Sequence, residues 1–344
     1  MNFFLKEFLI SLIILLCFLE NLYSQDIHFT QFYASPMTMN PAQTGFFDGD
    51  WRLSGIYRNQ WRSVGKHPFS SAGLAFDKIF RMYSSQINAG ILYINDISGV
   101  GNLTTNRFYV AGSYGRTIQG HFVQIGLQPG IVYETNDITK YSFDNQYELG
   151  NPEIFNRQLP NGETSFNSSI VYPDVNIGIL WSKRLSKSIN PELGFTVFHI
   201  NRPYRSLKGI KSDETHFPMR KSTYVGGKIS LSHTNHIKPH IQYMFQKRAD
   251  NLVIGGDFEH DLASNQIKSI FGGPLFRYGG STNYDALALT TGLVYKQVRV
   301  GLSYDINLSS LQQATKNKGA WEVSIIYISS STKPLVIQIP CDRY

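Results

Sequence analysis

Asp257, Glu259 and Asp261 stand two apart, with His260 between the last two. On an extended segment that spacing puts the three carboxylates on one face and the histidine on the other. Carboxylates beside a histidine could make a protease-like site. Lys238 and His240 share the acid face on the preceding segment, and a hairpin at 248–250 would bring them opposite the acids. An ion-paired wall accounts for these residues better than catalysis does. His233, His236 and His240 raise metal binding by proximity, but no Cys or Glu-rich segment accompanies them, and solvated histidines around a turn are the simpler reading. A phospholipase of the kind built on strands needs His and Ser two apart on one face, and no His-X-Ser occurs. Phe271-Gly272-Gly273-Pro274 has no following Lys-Thr or helix and is no phosphate loop; glycines there relieve crowding between packed strands. No nucleophile with its base is assembled, so no catalytic, cofactor-binding or metal-binding residue is assigned and no cofactor is implied.

The elements that carry these residues are strands. From Val298 to Leu308 apolar residues alternate with polar or small ones: Val298, Val300, Leu302, Tyr304, Ile306 and Leu308 on one face, Arg299, Gly301, Ser303, Asp305 and Asn307 on the other. Val123, Ile125, Leu127, Ile131 and Tyr133 oppose Gln124, Gly126, Gln128 and Gly130 in the same way, as do Val175, Ile177, Ile179 and Trp181 against Asn176, Gly178 and Ser182. About fourteen such segments recur, at 51–59, 69–77, 86–97, 104–117, 121–135, 174–184, 191–201, 220–232, 237–247, 251–261, 267–277, 285–296, 298–308 and 320–330. Each is about the ten residues that a tilted strand needs to cross a bilayer. In lipid the backbone is satisfied only if the sheet closes, which predicts an all-β transmembrane antiparallel barrel.

The links support closure in a membrane. Tight links follow the fourth, sixth, eighth and twelfth strands, whereas the two longest, 136–173 and 202–219, follow the fifth and seventh. Short periplasmic turns and long outer loops are the bacterial pattern, and an even strand count predicts that both termini are periplasmic. Pro129, Pro239 and Pro274 fall inside strands, where a missing donor predicts either bulges or different strand bounds.

At the N-terminus, Lys6 precedes an apolar run from Phe8 to Leu19 and then Leu22-Tyr23-Ser24-Gln25, the order of a signal peptide cleaved after Ser24. Cys17 follows Leu16 rather than a small residue, against lipidation. Loss of Lys6, Glu7 and Glu20 moves the net charge from +7 by one unit, to about +8. The basic residues are scattered, so nucleic acid is no partner, and Cys341 is left as the one mature cysteine, without an internal disulfide. The expected layout is a signal peptide at 1–24, a periplasmic N-terminal segment at 25–50, the barrel at 51–331 and a periplasmic tail at 332–344.

Two terminal boxes carry a family resemblance. The mature chain would begin Gln25-Asp26-Ile27-His28-Phe29-Thr30-Gln31-Phe32-Tyr33-Ala34-Ser35-Pro36, followed by Asn40-Pro41-Ala42. The first strand leads into Tyr57-Arg58-Asn59-Gln60-Trp61, and the chain ends Pro340-Cys341-Asp342-Arg343-Tyr344. This resembles the PorP/SprF family of outer-membrane proteins of the type IX secretion system of Bacteroidota. Members usually end Pro-Cys-Pro-Arg-Phe; Asp342 and Tyr344 depart from that pattern, and Asp342 leaves the tail backbone freer. The resemblance implies a non-enzymatic integral barrel in outer-membrane lipid that supports export or surface anchoring of a secreted adhesin or other cargo, with secretion-machinery proteins as further partners. Loops 136–173 and 202–219 are the candidate contacts, the first through Tyr141, Phe143, Tyr147, Phe155 and Phe166. The rival expectation is a diffusion channel for small solutes, if nothing fills the lumen.

Overall fold

The computed structural model describes residues 26–60, 69–82, 85–148, 155–156, 158–162, 167–207, 212, 215–279, 283–309 and 315–331. The expected signal peptide and C-terminal tail, with Gln25, Trp61, Phe166, Pro340, Cys341 and Arg343, lie outside them. The strands are β1 (Trp51–Gln60), β2 (Phe69–Arg81), β3 (Ser85–Ser98), β4 (Leu103–Ile118), β5 (His121–Thr135), β6 (Ser169–Lys183) and β7 (Ile189–Phe198). They continue as β8 (Arg220–Ser230), β9 (Asn235–Gln246), β10 (Ala249–Asp261), β11 (Ile267–Gly279), β12 (Asn283–Tyr295), β13 (Val298–Asn307) and β14 (Lys318–Ile328). Each pairs with its sequence neighbours and β1 closes antiparallel on β14, from Arg52↔Ile328 to Gln60↔Ala320. The expected closed fourteen-stranded barrel is what forms. Among the described residues no helix is long and apolar enough to cross a membrane; the strands do so.

The dyad decides which side faces lipid. On β5, Ile125 is 55% exposed while Gln124 beside it is fully buried, and Leu302 and Asp305 on β13 split in the same way. Leu74, Phe108, Ile131, Ile179, Phe276 and Ile325 all point outward, and Asp77, Asn88, Gln128, Asn176 and Glu322 point inward. Apolar area facing water would cost roughly 25 cal/mol per Å², so this surface is at rest only in hydrocarbon. At the β4–β5 link Gln119 and Gly120 both take positive φ, 50° and 78°, the primed turn whose twist matches paired strands.

The three interior prolines do not produce the expected bulges. Pro129 stays opposite Val175, Pro239 opposite Gly256 and Pro274 opposite Leu289, and register passes each of them without a shift. What is lost is pairing on the other side, where the ladders skip from Tyr109↔Gly130 to Gly112↔Leu127 and from Gly226↔His240 to Ile229↔Ile237. An antiparallel residue gives its N–H to one neighbour only, so one missing donor interrupts one ladder and leaves the other intact.

The residues before β1 turn back into the barrel. A 3-10 turn at Phe32–Ala34, one α-turn at Pro36–Met39 and a second 3-10 turn at Pro41–Gln43 interrupt an otherwise irregular path. Phe29, Ala34, Met37, Met39 and Ala42 are buried, and the molecule's apolar core lies between this segment and the inner wall. Phe32 and Met39 pack with Tyr224, Val253 and Leu275; Met37 with Leu92, Ile94 and Tyr109; Phe29 and Ala34 with Ile56 and Ile326. The two described ends of this segment lie at opposite rims. Asp26 bonds to residues at the rim of the long links, whereas Asp50 and Trp51 bond to Ser329 at the opposite rim. Strand parity fixes only the ends of the strand series, and those do share a rim; it says nothing of a segment that re-enters the lumen.

Candidate functional site

The lumen is closed by residues 26–50, fastened at three levels. At the long-link rim the Asp26 carboxylate meets Arg107 at 2.6 Å, His199 Nε2 at 3.2 Å and Arg220 at 3.4 Å. Its backbone N–H donates to Gln246 Oε1 at 3.1 Å. Burial works to raise the pKa of Asp26, but Arg107 and Arg220 outweigh it and hold it well below the usual carboxylate range. His199 also meets Asp174 at 2.8 Å. Burial disfavours its charge, yet the hydrogen bonds to Asp174 and Asp26 prevail and raise its pKa.

At mid-depth Glu322 accepts the backbone N–H groups of Thr30 and Gln31 at 2.6 and 2.8 Å. The Arg58 guanidinium bridges Glu322 at 2.5 Å and Asp305 at 3.0 Å and donates to Thr30 Oγ1 at 2.7 Å. Arg277 donates to the same hydroxyl at 3.0 Å, and Thr30 in turn donates to Asp305. Toward the other rim Gln124 donates to the Ala42 and Thr44 carbonyls, Asn40 to the Ile179 carbonyl, and the Gly45 N–H to Asp77, which also holds Arg52. Two wall glycines let the backbone come this close. A Cβ on Gly126 would overlap the Pro41–Ala42 peptide, and one on Gly178 would overlap the Asn40 side chain. A cavity between Ile27, Phe32, Met39, Arg107 and Arg220, of about 40 Å³, is water-sized.

The N-terminal box and the first-strand box, separated in the sequence, meet here through Arg58 and Thr30. Gln31 bonds to Ser303 and Ser324, Tyr33 stacks on His240 at 4.3 Å, and Ser35, Pro36, Asn40, Pro41 and Asn59 are buried. His28 and Phe29 sit in the same packing, His28 near Arg58 and Arg277, Phe29 beside Gly73. Sequence reasoning missed the wall partners Arg52, Asp77, Arg107, His199, Arg220, Arg277, Asp305 and Glu322. For all of them but His199, which follows β7, the signal was a charged residue at an inward position of a strand, where an unpaired charge is untenable.

The long link after β5 pairs its aromatics among themselves: Tyr141 edge-on to Phe143 at 6.4 Å, Tyr147 edge-on to Phe155 at 5.6 Å. Tyr141 also donates to Asn136 at 3.1 Å. Tyr147 and Phe155 still expose nearly half of their surface.

The acid face of β10 is ion-paired. Glu259 bonds Lys238 at 2.6 Å and Arg299 at 2.8 Å, and Asp257 lies 3.6 Å from Arg299 and 4.0 Å from His240. One relay was not anticipated: His236 lies 3.0 Å from both Ser230 Oγ and Asp261 Oδ2. Acyl transfer also needs free N–H donors for the oxyanion. Here the Ser230 N–H is spent on the Ser188 carbonyl, and those of Leu231 and Ser232 on the Asn235 carbonyl. The relay braces a turn.

The family model described as type IX secretion system membrane protein PorP/SprF matches residues 21–327. No curated protein matches the chain. Among solved structures, the Ralstonia pickettii toluene transporter TbuX is 11% identical with a TM-score of 0.51, over 86% of this chain and 92% of that one. The CymD monoaromatic hydrocarbon channel is 10% identical with a TM-score of 0.52, over 86% and 93%. Identities this low show a common barrel fold and nothing of what is carried.

Proposed function

Because the chain belongs to the PorP/SprF family of type IX secretion system membrane proteins, we propose that it serves secretion as a sealed outer-membrane platform that binds its cargo rather than conducting it. The observation that supports this reading is the lumen, filled from rim to rim by residues 26–50 and fastened by buried ion pairs. A barrel closed in that way offers its partners loops and rims. The cargo is a secreted adhesin or another protein exported by the same system, held at the surface by the link between β5 and β6. Tyr147 and Phe155 give that link exposed aromatic area with a low ordering cost, which suits protein recognition. The cleaved signal peptide delivers the chain to the outer membrane, and proteins of the secretion machinery meet it from the rim of the short links.

Excising the residues between Asn136 and Ser168, with β5 and β6 rejoined by a short turn, should release the cargo into the medium. The barrel should remain in the outer membrane, as read by its resistance to extraction. Cargo retained on cells as in wild type would remove this link from the proposal.

A further inference from the structure

About a third of the way round the wall from the closure of β1 on β14, the outward face of β4–β6 carries a cluster of basic residues. His121 and Lys183 are directly paired across β5 and β6, and Arg116 and Trp181 lie one row further in, both opposite Val123. The cluster sits at the rim of the short links, on the face that Tyr114, Ile125 and Ile179 present to lipid.

The hydrogen bonds of His121 do not close within the protein. The Trp181 indole N–H donates to Nδ1 at 3.0 Å, and Lys183 Nζ lies 2.9 Å from Nε2. Indole and ammonium are donors only, and a neutral imidazole has a single lone pair. With Trp181 donating to Nδ1, the proton sits on Nε2 and points at Lys183; with the proton on Nδ1, the indole is left facing a donor. Either way two donors converge where one acceptor is missing. No carboxylate supplies it: among the described residues, β4, β5 and β6 hold only Glu134 and Asp174 as acids, and both are buried on the inward face at the far end. The following link adds Arg184 and Lys187, both exposed, and no acid.

We propose that His121 and Lys183, with Arg116 beside them, seat the phosphate of an anionic glycerophospholipid. A phosphodiester oxygen supplies the acceptor that Nε2–H and the ammonium both need, and its charge offsets Lys183 and Arg116. Trp181, with its ring in the acyl region and its N–H turned to the rim, holds the imidazole at the depth where head groups lie. The ligand is a lipid rather than a free ion because the seat opens sideways onto the apolar wall.

The test is native mass spectrometry of the intact purified barrel titrated with phosphatidylglycerol, with phosphatidylcholine and with inorganic phosphate. Wild type should hold phosphatidylglycerol at least about tenfold more tightly than phosphatidylcholine, a difference of about 1.4 kcal/mol. The outward-facing variants H121A and K183Q should lose that preference while keeping the gel shift of a folded barrel. K183R, which keeps the charge, should retain it. Equal affinity for the two lipids in wild type, unchanged preference in K183Q, or binding of phosphate ion without the lipid would each overturn the proposal.

Discussion

Arg58 carries more of the assembly than any pairwise count suggests. Its guanidinium holds two buried carboxylates, Glu322 and Asp305, and a hydroxyl of the lumen segment at once. Removing one partner of a buried set leaves the others charged and unmatched, which costs about 3–5 kcal/mol. Arg58→Ala should therefore lower barrel stability by about that amount, read from urea unfolding of the refolded protein in detergent. A loss below about 1 kcal/mol would mean that water already serves Glu322 and Asp305. The identity of this residue was legible in the sequence only through a family resemblance, and its role was not. The dyad put Arg58 on the inward face together with Arg52 and Ser54, but nothing local says that a charge on β1 answers Asp305 on β13 and Glu322 on β14. Such pairings are fixed by closure, a property of the whole sheet. His121 is matched by the pairing of neighbouring strands instead, but its two donors still come from about sixty residues away, a separation set by the long link between β5 and β6.

At the scale of elements, alternation gave nearly all the strands because lipid enforces it from outside: an inward slip of one residue would turn every apolar side chain into the lumen. It failed at β6, which begins at Ser169 rather than at 174, since Pro173 interrupts the pattern while β5 continues to pair through Ile131↔Pro173. The extension leaves a weak seam. β6 and β7 share pairs only from Ile177↔Val197 to Ser182↔Glu192, and above them the wall is closed by the start of the next link. There Ile200 N–H donates to the Val175 carbonyl, while Asn201 takes the Val175 N–H at 3.1 Å and donates to the Pro173 carbonyl at 2.8 Å. One side chain thus stands in for a missing stretch of strand. Asn201→Ala removes both bonds, worth about 1 kcal/mol each. Hydrogen exchange at Val175 should accelerate by about tenfold or more, with the β4–β5 amides unchanged. Equal protection in the variant would show that the seam is held by other contacts.

For the molecule as a whole, the decisive feature was invisible to periodicity because it has none. Residues 26–50 hold Pro36 and Pro41 and show no sustained period, and irregular backbone is tolerated at membrane depth only where protein surrounds it. A fourteen-stranded wall is wide enough to surround it, and the lumen's inward polar groups then find partners in the segment instead of water. Gln124, Asp77 and Glu322 each bond backbone groups of that segment. The two expectations about solute passage therefore separate by experiment. In planar bilayers the intact protein should show no stable conductance. A form lacking residues 26–45, refolded and checked for the barrel's gel shift, should open a steady pore, because the wall closes through β1 and β14 without the segment's help. A large pore in the intact protein would mean that the segment leaves the lumen readily and would restore the channel reading. A closed lumen in the shortened form would assign the seal to the long links instead, with the ion pairs of Asp26 and Arg58 left as braces of the wall.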